Sequence, residues 1–107
     1  MDIQINEQGD HTILKLNGDI DYFNVSELKN AIFKLINNNT RSIILDLKDV
    51  DYMDSSGIGL IVTAYKVMNN YQGTIGLLHV HDEILALLKL ATVDVILKIY
   101  NNEDELK

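Results

Sequence analysis

The segment Ser42–Leu47 constrains the fold of this chain more than any other. It reads S-I-I-L-D-L, so apolar side chains occupy both alternating positions of an extended chain. A strand with one face in water alternates apolar and polar residues, whereas a strand covered on both faces does not. The segment is therefore predicted to be a central strand of a sheet.

Shorter patterns on either side predict the other strands. Ile3–Asn6 and His11–Leu16 alternate apolar and polar residues, and the turn-forming Gln8–Asp10 between them predicts a hairpin. Thr74–Val80 has the character of another inner strand, and Val95–Tyr100 is predicted as the last one.

Helical spacing of apolar residues predicts three helices between these strands. Asn24 followed by Glu27 resembles a capping box, and a helix is expected from Val25 to Asn37. The second helix carries the apolar positions of Ile58–Met68, and the third is expected to begin with Asp82 as its N-cap.

This order of elements indicates an α/β fold with parallel inner strands, against which right-handed crossovers place the helices. The chain has 107 residues, no proline and no linker-like segment, which predicts a single domain, residues 1–107. Apolar residues make up 47% of it, enough for a core. Glu103–Lys107 is expected to be a short, fraying tail.

The formal net charge of −7 restricts the partners. An acidic surface repels nucleic acid and anionic membranes and attracts a basic protein. The absence of cysteine excludes disulfides, thiol catalysis and cysteine-ligated zinc. The sequence contains neither a signal peptide nor an apolar run long enough to span a membrane. We therefore expect a cytoplasmic protein, monomeric by default, that binds neither nucleic acid nor membrane.

The segment Asp51–Leu60, D-Y-M-D-S-S-G-I-G-L, joins the predicted central strand to the second helix. Functional groups gather at such carboxyl ends of strands. The simplest interpretation is that Ser55 or Ser56 caps the helix and stabilises it by about 1 kcal/mol. Gly57 and Gly59 fit this less well, because each disfavours a helix by about 1 kcal/mol relative to alanine. They suggest that another backbone or a partner approaches closely.

Two chemical roles for the serines are also open. An exposed hydroxyl at a helix N-terminus lies where backbone N–H groups favour a phosphate, although nearby carboxylates such as Asp54 would oppose one. A serine nucleophile requires an adjacent base. The chain has only three histidines and lacks a G-x-S-x-G motif, which argues against a hydrolase.

The remaining polar clusters predict no metal site and no cofactor. His79 and His81 share a face if their strand continues, but no third ligand is identifiable, so polar residues at a strand end are the preferred interpretation. The EF-hand pattern fails because Met53 stands where an oxygen ligand is required. A solvated acidic rim is predicted for six aspartates, which are Asp19, Asp21, Asp46, Asp49, Asp51 and Asp54.

Two motifs lie about thirty residues apart. The loop Gly18–Asp21 reads G-D-I-D, and Met53–Gly59 reads M-D-S-S-G-I-G, with the predicted strand Ile43–Leu47 between them. Over nearly its full length, the chain resembles the STAS domain of bacterial anti-sigma factor antagonists. One departure is Leu90–Asp94, where the family often has a small turn residue followed by leucine.

The resemblance implies the STAS fold, a mixed sheet of four to five strands with parallel inner strands, flanked by about four helices. It also implies a switch instead of an enzyme. Such antagonists bind an anti-sigma factor that is itself a serine kinase, and binding frees the sigma factor. Phosphorylation of the antagonist abolishes binding, and a serine phosphatase restores it. The open alternative is a partner-switching module of another pathway, such as secretion, motility or transport.

The resemblance also assigns roles to single residues. Ser55 corresponds to the phosphoacceptor, and Ser56 to its more variable neighbour. The expected surroundings of the acceptor and the partner interface comprise Asp19, Asp21, Asp54, Ser56, Gly57 and Gly59.

Overall fold

A five-stranded sheet organises the protein. The computed structural model describes residues 1–106. The elements in chain order are β1 (Asp2–Gln8), β2 (His11–Asn17), α1 (Val25–Asn37), β3 (Ser42–Asp49), α2 (Ser55–Asn69), β4 (Thr74–Leu78), α3 (Asp82–Leu90), β5 (Lys98–Tyr100) and a short 3-10 helix (Glu103–Glu105). The mixed α/β fold predicted from the sequence is confirmed.

Strand β3 lies at the centre of the sheet, as its sequence predicts. The strands follow the order β1-β2-β3-β4-β5, with β1 antiparallel to β2 and every other pair parallel. Ile43, Leu45 and Leu47 pack in the main core with residues of the three helices. Ile44 points to the opposite face and packs in a smaller cluster. Both faces of β3 are thus covered, which explains why its sequence does not alternate.

The chain after β5 covers part of that opposite face. Leu106 is only 6% exposed and packs with Ile13, Ile44 and Leu78. The prediction of a fraying tail is therefore wrong for the described residues, and Lys107 lies outside them. Asn102 Oδ1 accepts a hydrogen bond from the Asp104 N–H at 3.0 Å, and the turn that it begins leads Leu106 back to the sheet.

Two strands are shorter than predicted because local backbone geometry ends them. Strand β4 stops at Leu78, since His79 has a φ of 56°, a left-handed conformation that regular strands exclude. Strand β5 begins at Lys98 instead of Val95, because the Ile96 N–H donates to the Val93 carbonyl at 3.2 Å and turns the chain there.

The number of helices and two of the caps also differ from expectation. The described residues contain three α-helices, one fewer than the four or so expected. The segment after β5 forms only a single turn of 3-10 helix. Asn24 makes no capping hydrogen bond through its side chain. His81, not Asp82, occupies the N-cap position of α3, and Asp82 lies in the first turn, where the helix dipole favours a carboxylate.

We expect Leu106→Ala to lower the free energy of unfolding by about 2 kcal/mol, near the low end of the range for buried leucine because a site close to solvent can relax. Urea denaturation measures the change. Val95→Ala is the control, because Val95 is 75% exposed and its truncation should change stability by less than about 0.5 kcal/mol. Equal effects of the two substitutions would contradict the packed position of Leu106.

Candidate functional site

The junction between β3 and α2 is fixed to the loop that precedes α1. Ile20 pairs with Met53 in an isolated parallel bridge, and both side chains are buried. The Ile20 N–H donates to the Tyr52 carbonyl at 3.0 Å, and the Asp54 N–H donates to the Ile20 carbonyl at 3.1 Å. The two motifs identified in the sequence are therefore joined by backbone hydrogen bonds.

Asp54 caps helix α2 and also holds the neighbouring loop. Its Oδ1 accepts a hydrogen bond from the Ser56 N–H at 2.8 Å, and its Oδ2 accepts one from the Tyr22 N–H at 3.1 Å. The interpretation of Ser55 or Ser56 as the helix cap is therefore wrong. Because an aspartate already fills that role, neither serine hydroxyl is needed to start the helix.

Ser55 is the first residue of α2, and it is exposed. Within residues 1–106 its hydroxyl makes no hydrogen bond. Ser56 is half-buried and lines a shallow groove between α1 and α2 of about 240 Å³. The groove is also lined by Val25, Lys29, Gly59, Leu60 and Thr63. Of the two serines, Ser55 is the more accessible to a second protein.

The two glycines have different structural reasons. A Cβ atom on Gly57 would lie 2.7 Å from both Ile20 Cγ2 and Met53 Cγ, so the close contact between the two loops requires a glycine there. A Cβ atom on Gly59 would meet nothing within 4 Å, and Gly59 is exposed. Close approach of another part of the same chain therefore explains Gly57, whereas no contact within the described residues explains Gly59.

The predicted acidic residues around the serine come from both loops. Asp21 Oδ1 accepts hydrogen bonds from the Phe23 N–H at 2.9 Å and the Asn24 N–H at 3.0 Å, and these bonds form the turn before α1. Asp19 is exposed, and its carbonyl accepts a hydrogen bond from Asn24 Nδ2 at 3.3 Å. The fold thus brings the acidic loop of residues 19–21 beside Asp54 and Ser55.

Asp46 departs from the predicted solvated rim. It is buried, and its Oδ1 lies 2.9 Å from His79 Nδ1, while His79 Nε2 lies 3.5 Å from Glu103 Oε1. Ligand atoms of Asp46, His79 and Glu103 lie within 4.8 Å of one another, so these three are the described residues that could hold a metal ion. The hydrogen bond between His79 and Asp46 already accounts for the buried position of the Asp46 carboxylate, because a buried carboxylate requires a partner.

The histidines occupy positions that do not serve a nucleophile at Ser55. His11 Nδ1 lies 2.6 Å from Ser42 Oγ, His79 contacts Asp46, and His81 Nε2 lies 2.7 Å from the Lys48 carbonyl. A serine nucleophile needs its base within hydrogen-bond reach. Across the described residues, no imidazole is hydrogen-bonded to Ser55.

The fold and this junction together define a protein class. A mixed sheet carries an unpaired serine at the start of a helix, fixed to an acidic loop from the preceding crossover, and these are the features expected of an STAS domain. Residues 2–106 match the family described as STAS domain. The chain belongs to the STAS domain family, and the resemblance to its anti-sigma factor antagonists extends to named relatives.

The chain is 31% identical over 90 residues to the anti-sigma-B factor antagonist of Staphylococcus aureus, covering 84% of this chain and 83% of the relative. The crystal structure of the Thermotoga maritima protein TM1081 superposes with a TM-score of 0.91 at 28% identity, covering 97% of this chain and 90% of that one. The phosphorylated form of the Bacillus cell fate determinant SpoIIAA shares the fold, with a TM-score of 0.76 at 20% identity over 98% of this chain and 96% of that one.

Sequence reasoning missed the double role of Asp54 and the exposed pair Tyr22 and Phe23. Aspartate is among the preferred N-cap residues, so the order D-S-S already favoured Asp54 as the cap. The hydrogen bond to Tyr22 spans 32 residues, and no local pattern predicts it. Between residues 1 and 106, no helix combines the length and the apolar character needed to cross a membrane.

We expect Asp54→Ala to lower the free energy of unfolding by about 2 kcal/mol, because it removes the cap of α2 and the charged acceptor of the Tyr22 N–H. Asp54→Ser should lower it less, since a hydroxyl can still cap the helix. Urea denaturation compares the two variants, with exposed Asp51→Ala as the control. Equal losses for Ala and Ser would mean that the cap contributes nothing.

Gly57→Ala and Gly59→Ala should change stability in opposite directions. The first should lower the free energy of unfolding by about 1–3 kcal/mol, because Ile20 and Met53 must shift to admit a methyl group. The second should raise it by about 0.5–1 kcal/mol, because alanine favours a helix and the space is open. Thermal and urea unfolding of both variants check this. A destabilising Gly59→Ala would show that the native fold itself requires this glycine.

Proposed function

We propose that this protein is an anti-sigma factor antagonist that binds a serine-kinase anti-sigma factor and thereby releases a sigma factor. Phosphorylation of Ser55 by the bound kinase ends the interaction, and a serine phosphatase restores it. The observation that carries the proposal is the exposed Ser55 hydroxyl, which Asp54 relieves of any capping role. The protein itself performs no catalysis in this scheme and needs no cofactor or metal.

The named relatives support this assignment. The Staphylococcus aureus relative is an anti-sigma-B factor antagonist by name, and the fold is shared with a protein that has a phosphorylated form. The similarity covers most of both chains, including the segment around Ser55. We propose accordingly that residues 1–107 form one STAS domain, which acts as a monomer in the cytoplasm.

The carboxylates of the junction support a switch by phosphorylation. A phosphate on Ser55 would add about −1.5 to −2 charges at neutral pH. It would lie next to Asp54, near Asp19 and Asp21, on a chain that already carries −7. The partial positive charge of the α2 N-terminus offsets only part of this. In a water-excluded interface this phosphate would be crowded against these carboxylates and would lose its hydration, and its bulk would hold the partner away from the serine.

The other predicted residues have defined parts in this proposal. Asp54 positions Ser55, and Gly57 permits the packing that holds the two loops together. Ser56 and Gly59 lie on the groove beside Ser55 and belong to the proposed partner interface with Asp19 and Asp21. Lys29, which lines the same groove, does not outweigh the carboxylates of Asp19, Asp21 and Asp54.

Incubation with ATP, magnesium and a purified serine-kinase anti-sigma factor from the source organism should label Ser55. Ser55→Ala should abolish the label, whereas Ser56→Ala should retain it. Mass spectrometry of the modified peptide locates the phosphate. Label that persists undiminished in Ser55→Ala would contradict the site. Specific binding to proteins of a secretion, motility or transport pathway, and not to any sigma regulator, would favour the partner-switching alternative.

A charged replacement of Ser55 should weaken binding to the same kinase. We expect Ser55→Asp to raise the Kd by roughly ten- to a hundredfold, which corresponds to about 1.4–2.8 kcal/mol. Ser55→Asn is the matched control, because it has a similar shape without the charge and should raise the Kd much less. Calorimetric titration measures both. Unchanged affinity of Ser55→Asp would argue against the electrostatic switch.

A further inference from the structure

Two large aromatic side chains beside the serine junction lie almost fully in solvent. Tyr22 is 74% exposed and Phe23 is 85% exposed. Their rings contact each other edge to face, with centroids 5.6 Å apart and an interplanar angle of 80°. A single exposed apolar residue is ordinary, whereas contiguous exposed apolar surface next to a functional site is typical of an interaction surface. We call these two residues the aromatic pair.

The backbone beneath the aromatic pair is held in place by two carboxylates. Asp54 Oδ2 accepts the hydrogen bond of the Tyr22 N–H at 3.1 Å, and Asp21 Oδ1 accepts that of the Phe23 N–H at 2.9 Å. The Val25 N–H also donates to the Asp21 carbonyl at 2.8 Å, which attaches the pair to the start of α1. Because the main chain is already ordered, a partner that binds here loses less conformational entropy.

The aromatic pair is continuous with the proposed phosphorylation site. Asp54 joins them directly, since one of its oxygens holds Tyr22 and the other caps the helix that begins with Ser55. Val25, two residues after Phe23, lines the groove that contains Ser56 and Gly59. The helix backbone at Gly59 is bare and exposed, although alanine would fit there. A partner that covers Ser55 therefore also reaches the aromatic pair and this uncovered turn of α2.

We propose that the aromatic pair is the docking anchor for the anti-sigma factor, inserting into an apolar pocket that is rimmed by lysine and arginine. This inference rests on the proposed function and specifies its interface. The charges select the partner. Asp21 and Asp54 hold the backbone of the pair, and Asp19 lies in the same loop, so a basic rim is complementary. A second copy of this chain would place the same carboxylates against one another, because a twofold interface pairs identical surfaces.

The anchor and the serine have separate tasks. Aromatic residues in well-packed pockets dominate the affinity of many interfaces. The aromatic pair thus supplies most of the affinity, and Ser55 supplies the means of removing it. Phosphate on Ser55 weakens binding by its bulk and by the cost of removing its hydration, and it leaves the apolar contact of the aromatic pair itself unchanged. Truncating Phe23 should therefore weaken binding even when Ser55 is unmodified.

The test uses the purified serine-kinase anti-sigma factor that phosphorylates Ser55. Calorimetric titration measures its Kd for the full chain and for each variant. Phe23→Ala and Tyr22→Ala should each raise the Kd more than about tenfold, and Phe23→Leu should raise it less because it keeps apolar contact. Leu90→Ala is the matched control, since Leu90 is also 85% exposed but lies at the end of α3. Urea denaturation should show no loss of stability in any of these variants.

The outcomes separate this inference from the proposed function. If Ser55 is labelled and Phe23→Ala binds as tightly as the wild-type chain, the proposed anchor is wrong and the proposed function stands. If the wild-type chain is neither bound nor labelled by any serine-kinase anti-sigma factor of the source organism, both the proposed function and the proposed anchor are wrong. If sedimentation shows a dimer of this chain that Phe23→Ala dissociates, while kinase affinity is unchanged, the aromatic pair serves self-association and the proposal is overturned.

Discussion

The two hydrogen bonds of the Asp54 carboxylate are the interaction on which the functional surface depends. One oxygen caps α2 and the other binds the Tyr22 N–H, so a single side chain connects the junction between β3 and α2 to the loop before α1. The buried contact of Ile20 with Met53, which only a glycine at position 57 permits, stabilises the same connection. The site is therefore built by two loops that are held at a fixed distance.

In this arrangement, the groups that hold the backbone differ from the groups that face solvent. Asp54 and Asp21 satisfy backbone N–H groups, which leaves the Ser55 hydroxyl and the aromatic side chains free to face solvent. Such a surface is suited to recognition, because it is rigid, acidic and apolar at one point. The histidines hydrogen-bond elsewhere in the described part of the chain and make no contact that would activate the Ser55 hydroxyl. In the proposed mechanism the kinase and the phosphatase supply the chemistry.

The sequence predicted most of the fold because periodicity reports which side of an element is buried. Helix α1 has the predicted bounds Val25–Asn37, and β3 is the central strand that its unbroken apolar run indicates. Predictions failed where a distant residue decides the outcome. Asp46 is buried because His79 meets its carboxylate, and the tail is packed because Leu106 reaches Ile13 and Ile44. Strand β4 ends early because His79 has a left-handed backbone.

By itself, the sequence determined the order of elements, the central strand, the acidic character of the surface and the serine at a helix start. These depend on local spacing and on charge, which a single chain displays without folding. Only the tertiary structure decided that Asp54 also holds the Tyr22 N–H, that Gly57 serves internal packing and that Tyr22 and Phe23 lie beside Ser55. Those features require residues about thirty positions apart to meet, and the βαβ crossovers bring them together once the sheet is formed.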